Sequence, residues 1–213
     1  MENWYKKTAR ETLDALQVTA EGLTADEAAR RREQYGENKL SEGKKKSALQ
    51  VFAEQFKDLL VIILVAAALI SLASGQSEST LVIFAVLLLN AVLGTVQYLK
   101  AEKSLESLKA MSAPTAKVLR GGETVALPST QVVPGDVVLL EAGDMVVADG
   151  RLLNSWSLKV NESSLTGESE PVEKTDGPLE GDEVPLGARK NMAFSGSLVT
   201  YGRGMMVVTG TGM

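Results

Sequence analysis

The hydrophobic pattern is dominated by residues 59–99, a stretch that carries one charged residue, Glu78. The stretch consists of two apolar runs, residues 59–73 and 81–99, joined by a serine-rich polar linker. A helix of about 20 apolar residues crosses the hydrocarbon core of a bilayer. The second run nearly reaches that length, and the first reaches it only with its flanking residues. The pattern therefore predicts two membrane helices, and the alternative is a helical hairpin buried in the core of a soluble protein.

The predicted transmembrane hairpin occupies residues 47–111, with helices at about 57–75 and 80–111. Lysines flank the apolar stretch on both sides and are absent from the linker. They are Lys44, Lys45, Lys46 and Lys57 before the stretch and Lys100, Lys103 and Lys109 after it. Because basic flanks stay in the cytoplasm, we expect the N-terminus and the region after the hairpin to be cytoplasmic. The long polar N-terminal stretch does not fit a signal peptide.

The second helix carries two amides, Asn90 and Gln97, which we expect to form hydrogen bonds with other helices; ion ligation is the alternative. Good helix formers continue beyond the apolar run to Met111, and residues 112–114, Ser-Ala-Pro, are predicted to end the helix. Two helices alone make no ion path, so the hairpin is expected to belong to a larger bundle.

Residues 1–46 are predicted to form a helical cytoplasmic segment that associates with the domain after the hairpin. Thr24 and Glu27 have the spacing of a capping box at a helix N-terminus, and Gly36 fits the C-terminal stop. The intervening run of three arginines, residues 30–32, favours a solvated helix face. Contact with lipid headgroups or with acidic neighbours is the alternative.

After residue 112 the chain changes to short Val- and Leu-rich runs separated by Gly, Pro and Asp, which indicates a mostly antiparallel β domain over 112–213. The runs are residues 116–120, 123–127, 136–143, 145–153, 157–161, 195–200 and 204–210. Residues 173–190 are predicted to form an exposed loop. The predicted fold class is therefore membrane α plus β: N-terminal helices, a transmembrane hairpin and an antiparallel β domain.

The composition restricts the chemistry. The chain has no histidine and no cysteine, which excludes imidazole catalysis and sites built from Cys or His ligands. The net charge of −5 and the few aromatic residues give no reason to expect nucleic acid as a partner. One string suggests catalysis: Thr166-Gly167-Glu168-Ser169 places a carboxylate directly after a glycine. Spacing alone leaves open whether Glu168 is a general base or part of an acidic surface turn.

The ordered motifs resemble the N-terminal part of a P-type cation-transporting ATPase. They span essentially the whole chain and include a VPGDV turn, a GD-x-VPADGRL-like string with Val147 in place of the usual proline, and the LTGES signature of the actuator domain. In order, the matching segments are residues 22–40, 54–64, 133–137, 143–152, 165–169 and 191–213.

The resemblance implies a reaction cycle. In this family, ATP with Mg²⁺ phosphorylates an Asp of a DKTG motif in a separate domain, and the actuator domain then brings its TGES loop to the aspartyl phosphate. By this match, Glu168 would position and activate the hydrolytic water, and Thr166, Gly167 and Ser169 would shape the loop. The chain has no DKTG motif or nucleotide-binding domain. We therefore expect an N-terminal fragment that is inactive alone, and whose partners are the bilayer and the remaining domains of the pump.

Within the family, the chain resembles the Ca²⁺ pumps of the sarcoplasmic-reticulum and bacterial type, which implies Ca²⁺ export across a bacterial plasma membrane. It departs from the animal pumps at Lys57-Asp58, where those carry adjacent acidic residues. Asp58 is thus a candidate ion-entrance residue, and Lys57 puts a two-ion stoichiometry in doubt. The alternatives are a pump for another cation (Na⁺/K⁺, Mn²⁺ or H⁺), a non-catalytic membrane adaptor, and a soluble β module with a hydrophobic tail.

Overall fold

The computed structural model describes residues 3–39, 46–111, 114–181 and 183–212. The chain divides into two compact units: Met1–Ser41 together with Ala113–Met213, and Glu42–Ser112. The predicted lysine flank at Lys44 and Lys45 lies outside the described residues, as do the first two residues of the predicted stop at 112–114.

The N-terminal segment of the first unit begins with a short 3₁₀ helix, Trp4–Lys6, followed by helices α1 (Ala9–Leu16) and α2 (Ala25–Tyr35). The predicted capping box at α2 forms only in part. Thr24 accepts a hydrogen bond from the Glu27 amide at 3.2 Å, but the Glu27 carboxylate turns away to Arg31, whose Nε lies 3.0 Å from Oε1. Gly36, with φ +79°, ends the helix as predicted.

A complete capping box lies instead at the start of α1, where the sequence analysis did not expect one. The Thr8 hydroxyl accepts from the Glu11 amide, and the Glu11 carboxylate accepts from the Thr8 amide at 2.8 Å. The Thr8 amide and hydroxyl together lower the pKa of the Glu11 carboxyl.

The arginine run is not uniformly solvated. Arg30 and Arg32 are exposed, but the side chain of Arg31 is only 11% exposed. Arg31 donates hydrogen bonds to the carbonyl oxygens of Pro134 at 2.9 Å and Leu16 at 2.8 Å. The expectation of a solvated face is therefore wrong for Arg31, which joins α2 to the turn before the third strand.

The β region forms one seven-stranded sheet in which every pairing is antiparallel. The strands are β1 (Thr115–Arg120), β2 (Glu123–Pro128), β3 (Val137–Glu141), β4 (Asp149–Asn161), β5 (Val172–Glu173), β6 (Met192–Ala193) and β7 (Leu198–Gly210). Their order is β2-β1-β3-β7-β4-β5, and β6 pairs with β4. The predicted antiparallel β domain is confirmed.

Two pairs of predicted strands are wrong, because each pair forms one long strand. The runs 195–200 and 204–210 belong to β7, which begins only at Leu198. The runs 145–153 and 157–161 belong to one long strand, β4, which begins only at Asp149, because residues 145–148 lead into the sheet outside the regular pairing. Register shifts along the β4–β7 pair let the strand bend without ending. The predicted exposed loop, 173–190, is also not fully exposed, because Lys174 is buried.

The N-terminal helices pack against the sheet through an apolar cluster. Its buried members are Val18, Leu23, Ala28, Val133, Val137, Leu153 and Val207. A second, larger cluster includes Val118, Leu140, Leu152, Leu158, Val160 and Met206. Since helices and strands contribute to the same cluster, the N-terminal segment is part of this unit's core.

The second unit contains α3 (Ala48–Gln55), α4 (Leu59–Ala73) and α5 (Ser77–Met111). The first membrane helix was predicted from residue 57. The structure instead ends α3 at Gln55 and restarts at Leu59, because Asp58 caps α4 by accepting a hydrogen bond from the Leu60 amide at 2.8 Å. The two helices meet at an angle of 64°.

The helix α5 begins three residues earlier than predicted and continues unbroken to Met111. At 1.5 Å per residue it is about 50 Å long, more than the roughly 30 Å of a hydrocarbon core. Among the described residues, it is the one helix that is long and apolar enough to cross a membrane alone. The helices α3 and α4 meet that test only if they are taken together as one bent span.

Candidate functional site

The predicted catalytic string lies on a loop at one end of β4. After Asn161 the chain forms a single helical turn, α6 (Ser163–Thr166), and returns to the sheet in β5. Gly167 follows α6 in the left-handed region, with φ +77°, which glycine adopts without steric cost. Residues 163–171, called the Glu168 loop below, are exposed throughout. The loop therefore presents the Glu168 carboxylate to solvent, where a reacting group from outside this unit can reach it.

Thr166 connects the base of the Glu168 loop to Glu168 itself. Its hydroxyl donates to the carbonyl oxygen of Glu162 at 3.2 Å and accepts from the amide of Glu168 at 3.2 Å. One hydroxyl thus fixes the backbone of the residue that carries the candidate catalytic group. A valine at this position would keep the shape of the side chain and remove both hydrogen bonds.

Asn161 holds the two sides of the same loop. Its side-chain oxygen accepts from the Ser163 amide at 2.9 Å, and its side-chain nitrogen donates to the Ser169 carbonyl at 3.4 Å. Ser169 therefore contributes a backbone carbonyl to the loop. The structure brings all four predicted residues, 166–169, into one short segment with fixed ends.

A second supporting segment was not predicted. The 3₁₀ turn Leu186–Ala188 packs beside Thr166, and a Cβ atom added to Gly187 would lie 2.7 Å from the Thr166 methyl carbon. A β-branched side chain has few alternative rotamers, and moving Thr166 would break its two hydrogen bonds. A glycine at 187 thus allows this turn to lie directly against the loop.

Sequence reasoning also missed a buried ion pair beneath the loop. Lys174 Nζ lies 2.6 Å from Glu162 Oε1, and neither side chain is exposed. Burial raises the pKa of the Glu162 carboxyl and lowers the pKa of the Lys174 ammonium, while each partner opposes the shift of the other. A Glu and a Lys twelve residues apart, on either side of a loop, give no local signal of such a pair.

The described residues contain no group of three or more Asp, Glu, His or Cys side chains that could hold a metal ion. Asp58, the candidate ion-entrance residue, is exposed and uses one carboxylate oxygen to cap α4. Its role in ion entry remains a prediction.

Comparison with known protein families identifies the class of protein. Residues 110–213 match the P-type ATPase actuator domain, and residues 4–71 match the N-terminus of the cation transporters and ATPases. The chain belongs to the P-type cation-transporting ATPases and contains their actuator domain.

Curated relatives give a closer comparison. A calcium-transporting ATPase of Listeria monocytogenes serovar 1/2a is 53% identical over 207 residues, which cover 97% of this chain and 23% of the relative. Calcium-transporting ATPases of Lactococcus lactis subsp. lactis and Bacillus cereus are each 48% identical. Those two alignments cover 96% and 100% of this chain, and 23% and 24% of the relatives. The chain thus spans about a quarter of the length of the relatives it matches.

Proposed function

We propose that the complete protein is an ATP-driven pump that exports Ca²⁺ from the bacterial cytoplasm, and that this chain supplies its N-terminal and actuator parts. The observation that carries the proposal is an exposed carboxylate, Glu168, on a loop whose ends are tied to the actuator sheet. Support for Ca²⁺ comes from the names of relatives at 48–53% identity. ATP and Mg²⁺ would supply the phosphoryl group in domains outside this chain.

In the proposed reaction, a water molecule attacks the phosphorus of an aspartyl phosphate carried by another domain. The bond between phosphorus and the aspartyl oxygen breaks, which releases inorganic phosphate and regenerates the aspartate. Glu168 orients the water and accepts its proton through the carboxylate. Thr166, Gly167 and Ser169 set the backbone from which that carboxylate projects. No histidine is needed, which agrees with the composition of the chain.

The transported ion is tested with the complete gene product in inside-out membrane vesicles. ATP should drive the accumulation of radioactive Ca²⁺, and Ca²⁺ should stimulate formation of the phosphoenzyme. If Ca²⁺ has no effect while Mn²⁺, Na⁺ or K⁺ supports both reactions, the assignment of Ca²⁺ is wrong.

We propose further that α3 with α4, and α5, cross the plasma membrane as a hairpin with both ends in the cytoplasm. The side chains of α4 and α5 support this arrangement, because many large apolar residues of these helices are exposed in this unit, including Leu59, Ile70, Leu81 and Leu89. In a bilayer such side chains would face lipid rather than water.

The membrane topology predicts a labelling pattern, which is measured in complete pumps whose only cysteine is the introduced one; residues 1–213 contribute none. An impermeant thiol reagent added to intact cells should label Ser77→Cys. It should label Ser104→Cys, at the other end of α5, and Leu49→Cys, on α3, only after permeabilisation. External labelling at residue 49 together with residue 77 would show that α3 and α4 do not cross.

A further inference from the structure

Glu162 and Lys174 lie at the base of the Glu168 loop, and both side chains are completely buried. One carboxylate oxygen of Glu162, Oε1, accepts from Lys174 Nζ, which also lies 5.9 Å from the centre of the Phe194 ring. The other carboxylate oxygen, Oε2, is buried without a hydrogen-bond partner. The pair therefore consists of one short contact between two charged side chains that have no exposed surface.

A buried ion pair of this kind contributes little net free energy to the stability of a fold. Removing two charges from water costs about as much as their attraction returns, and apolar replacements of similar volume are often neutral or stabilising. The partnerless oxygen of Glu162 adds to that cost. The contact instead fixes a distance: it holds the backbone at Glu162 close to the backbone at Lys174.

Glu162 and Lys174 lie on the two chain segments that enter and leave the Glu168 loop. Glu162 precedes α6, and Lys174 follows β5, where Val172 pairs with Val160 of β4. The Glu162 carbonyl oxygen accepts hydrogen bonds from the Leu165 and Thr166 amides at 2.8 and 3.0 Å, and from the Thr166 hydroxyl. Glu162 is thus joined to Lys174 through its side chain and to the loop through its backbone.

A continuous set of contacts leads from the pair to the reacting group. Lys174 holds Glu162, the Glu162 carbonyl orients the Thr166 hydroxyl, and this hydroxyl accepts from the Glu168 amide. A shift of Glu162 within its site would therefore move the backbone of Glu168. Glu168 itself is exposed, and this connection acts beside the hydrogen bonds of Asn161 to fix its position.

We propose that Glu162 and Lys174 are positioning residues for dephosphorylation, which set the place and orientation of the Glu168 carboxylate without touching the phosphate or the water. This inference rests on the proposed function of Glu168. A buried ion pair can have two roles: it can stabilise the whole domain, or it can fix the position of one loop relative to a reactant. We assign the second role to this pair.

The test uses the complete pump and compares three variants: Glu162→Met, Lys174→Met and the double variant. Methionine has a side-chain length close to that of both residues and carries no charge. Each single variant leaves an unpaired buried charge and should lower the melting temperature. The double variant should recover most of that loss, because no buried charge remains.

The double variant should recover stability, but its rate of dephosphorylation should remain low. Since a displacement of about 1 Å can lower a rate by about 100-fold, the phosphoenzyme of the double variant should decay about 10- to 100-fold more slowly than wild type. Phosphorylation from ATP should remain near wild type. Wild-type decay in a double variant of restored stability would overturn the proposal and leave the pair a structural element only.

Two further variants keep the test decisive. If the double variant does not fold, Glu162→Asp retains the charge and shortens the side chain by one methylene; slowed decay supports the proposal, and wild-type decay overturns it. Glu168→Gln, measured in parallel, separates the two hypotheses. If Glu168→Gln decays like wild type, the proposed function fails. If the phosphoenzyme of Glu168→Gln decays slowly and that of the double variant decays at the wild-type rate, only the positioning role fails.

A matched control is Lys117→Met, which removes an exposed ion pair with Glu141 between β1 and β3. In the sheet order, β3 and β7 separate β1 from β4. This variant should leave phosphoenzyme decay unchanged. Hydrogen exchange adds a direct readout: the amides of Thr166 and Glu168 should exchange faster in the double variant and not in Lys117→Met. Unchanged exchange at both amides would contradict the proposed connection.

Discussion

Glu168→Gln in the complete pump is expected to take phosphate from ATP normally and then to lose it about 10²–10⁴-fold more slowly than wild type. This corresponds to roughly 3–5 kcal/mol of activation free energy. Glutamine keeps the size of the side chain and its ability to form hydrogen bonds, but it cannot accept the proton of the attacking water. A pulse-chase of labelled phosphoenzyme measures the decay, and ion transport should stall with it.

The control for this experiment is Glu170→Gln, an exposed carboxylate two residues further along the same loop. It removes the same charge from the same surface, so it accounts for any general electrostatic effect. Its phosphoenzyme should decay at the wild-type rate. If both variants slow decay equally, the effect belongs to the charge of the loop rather than to a positioned base. If Glu168→Gln lowers protein yield and both half-reactions together, Glu168 stabilises its loop and does not catalyse.

The sheet and the position of the Glu168 loop could be predicted because their signals are local. Alternating Val and Leu runs between Gly and Pro turns determine antiparallel strands over short distances, and the loop residues are contiguous in sequence. Gly167 is a clear case, since the residue between Thr166 and Glu168 adopts a positive φ that glycine accommodates. In such segments, the local structure is determined mostly by residues that are neighbours in the sequence.

Helix boundaries were predicted less well where several start signals compete. Thr24 and Glu27 have the capping-box spacing, but Arg31 lies one turn further on and takes the Glu27 carboxylate. Similarly, the apolar pattern is continuous enough to suggest one helix from residue 57, whereas Asp58 caps a new one at Leu59. Each outcome depends on which partner a single carboxylate selects, and composition does not determine that choice.

Charged side chains that are buried or largely buried were the features that sequence reasoning could not find. Arg31, Arg151, Glu162 and Lys174 all look like ordinary surface residues in the sequence. Arg31 and Arg151 bind mainly backbone carbonyls, which every residue carries and which therefore leave no trace in the sequence. Their partners are also distant along the chain: Arg31 reaches Pro134, and Arg151 reaches Lys7. Only the assembled fold brings these groups together.

Arg151 shows how the N-terminal segment is held on the sheet. It is completely buried in β4, and its guanidinium donates to the carbonyl oxygens of Lys7 at 2.8 Å and Asp176 at 3.0 Å, and to those of Leu152 and Asn191. Burial lowers the pKa of the Arg151 guanidinium to about 10, so it is still charged at neutral pH. One side chain thus joins the N-terminus, a strand and the loop after β5.

Arg151→Met is therefore expected to destabilise this unit by about 3–5 kcal/mol, because hydrogen bonds to a charged donor contribute roughly 1.5–3 kcal/mol each and at least two carbonyls would lose theirs. Both tryptophans of residues 1–213, Trp4 and Trp156, lie in this unit, so their fluorescence during denaturant unfolding of the 213-residue chain measures the change. The control is Arg203→Met, which replaces an exposed arginine on β7 that stacks on Trp156. This variant should lower the free energy of unfolding by less than about 1 kcal/mol.

A second experiment tests whether Arg151 holds the N-terminal segment on the sheet. In Arg151→Met carrying Trp156→Phe, the remaining Trp4 should become solvent-exposed at denaturant concentrations that leave the sheet folded. Equal losses in both arginine variants, or a Trp4 signal that changes only with global unfolding, would show that Arg151 does not hold the N-terminal segment in place.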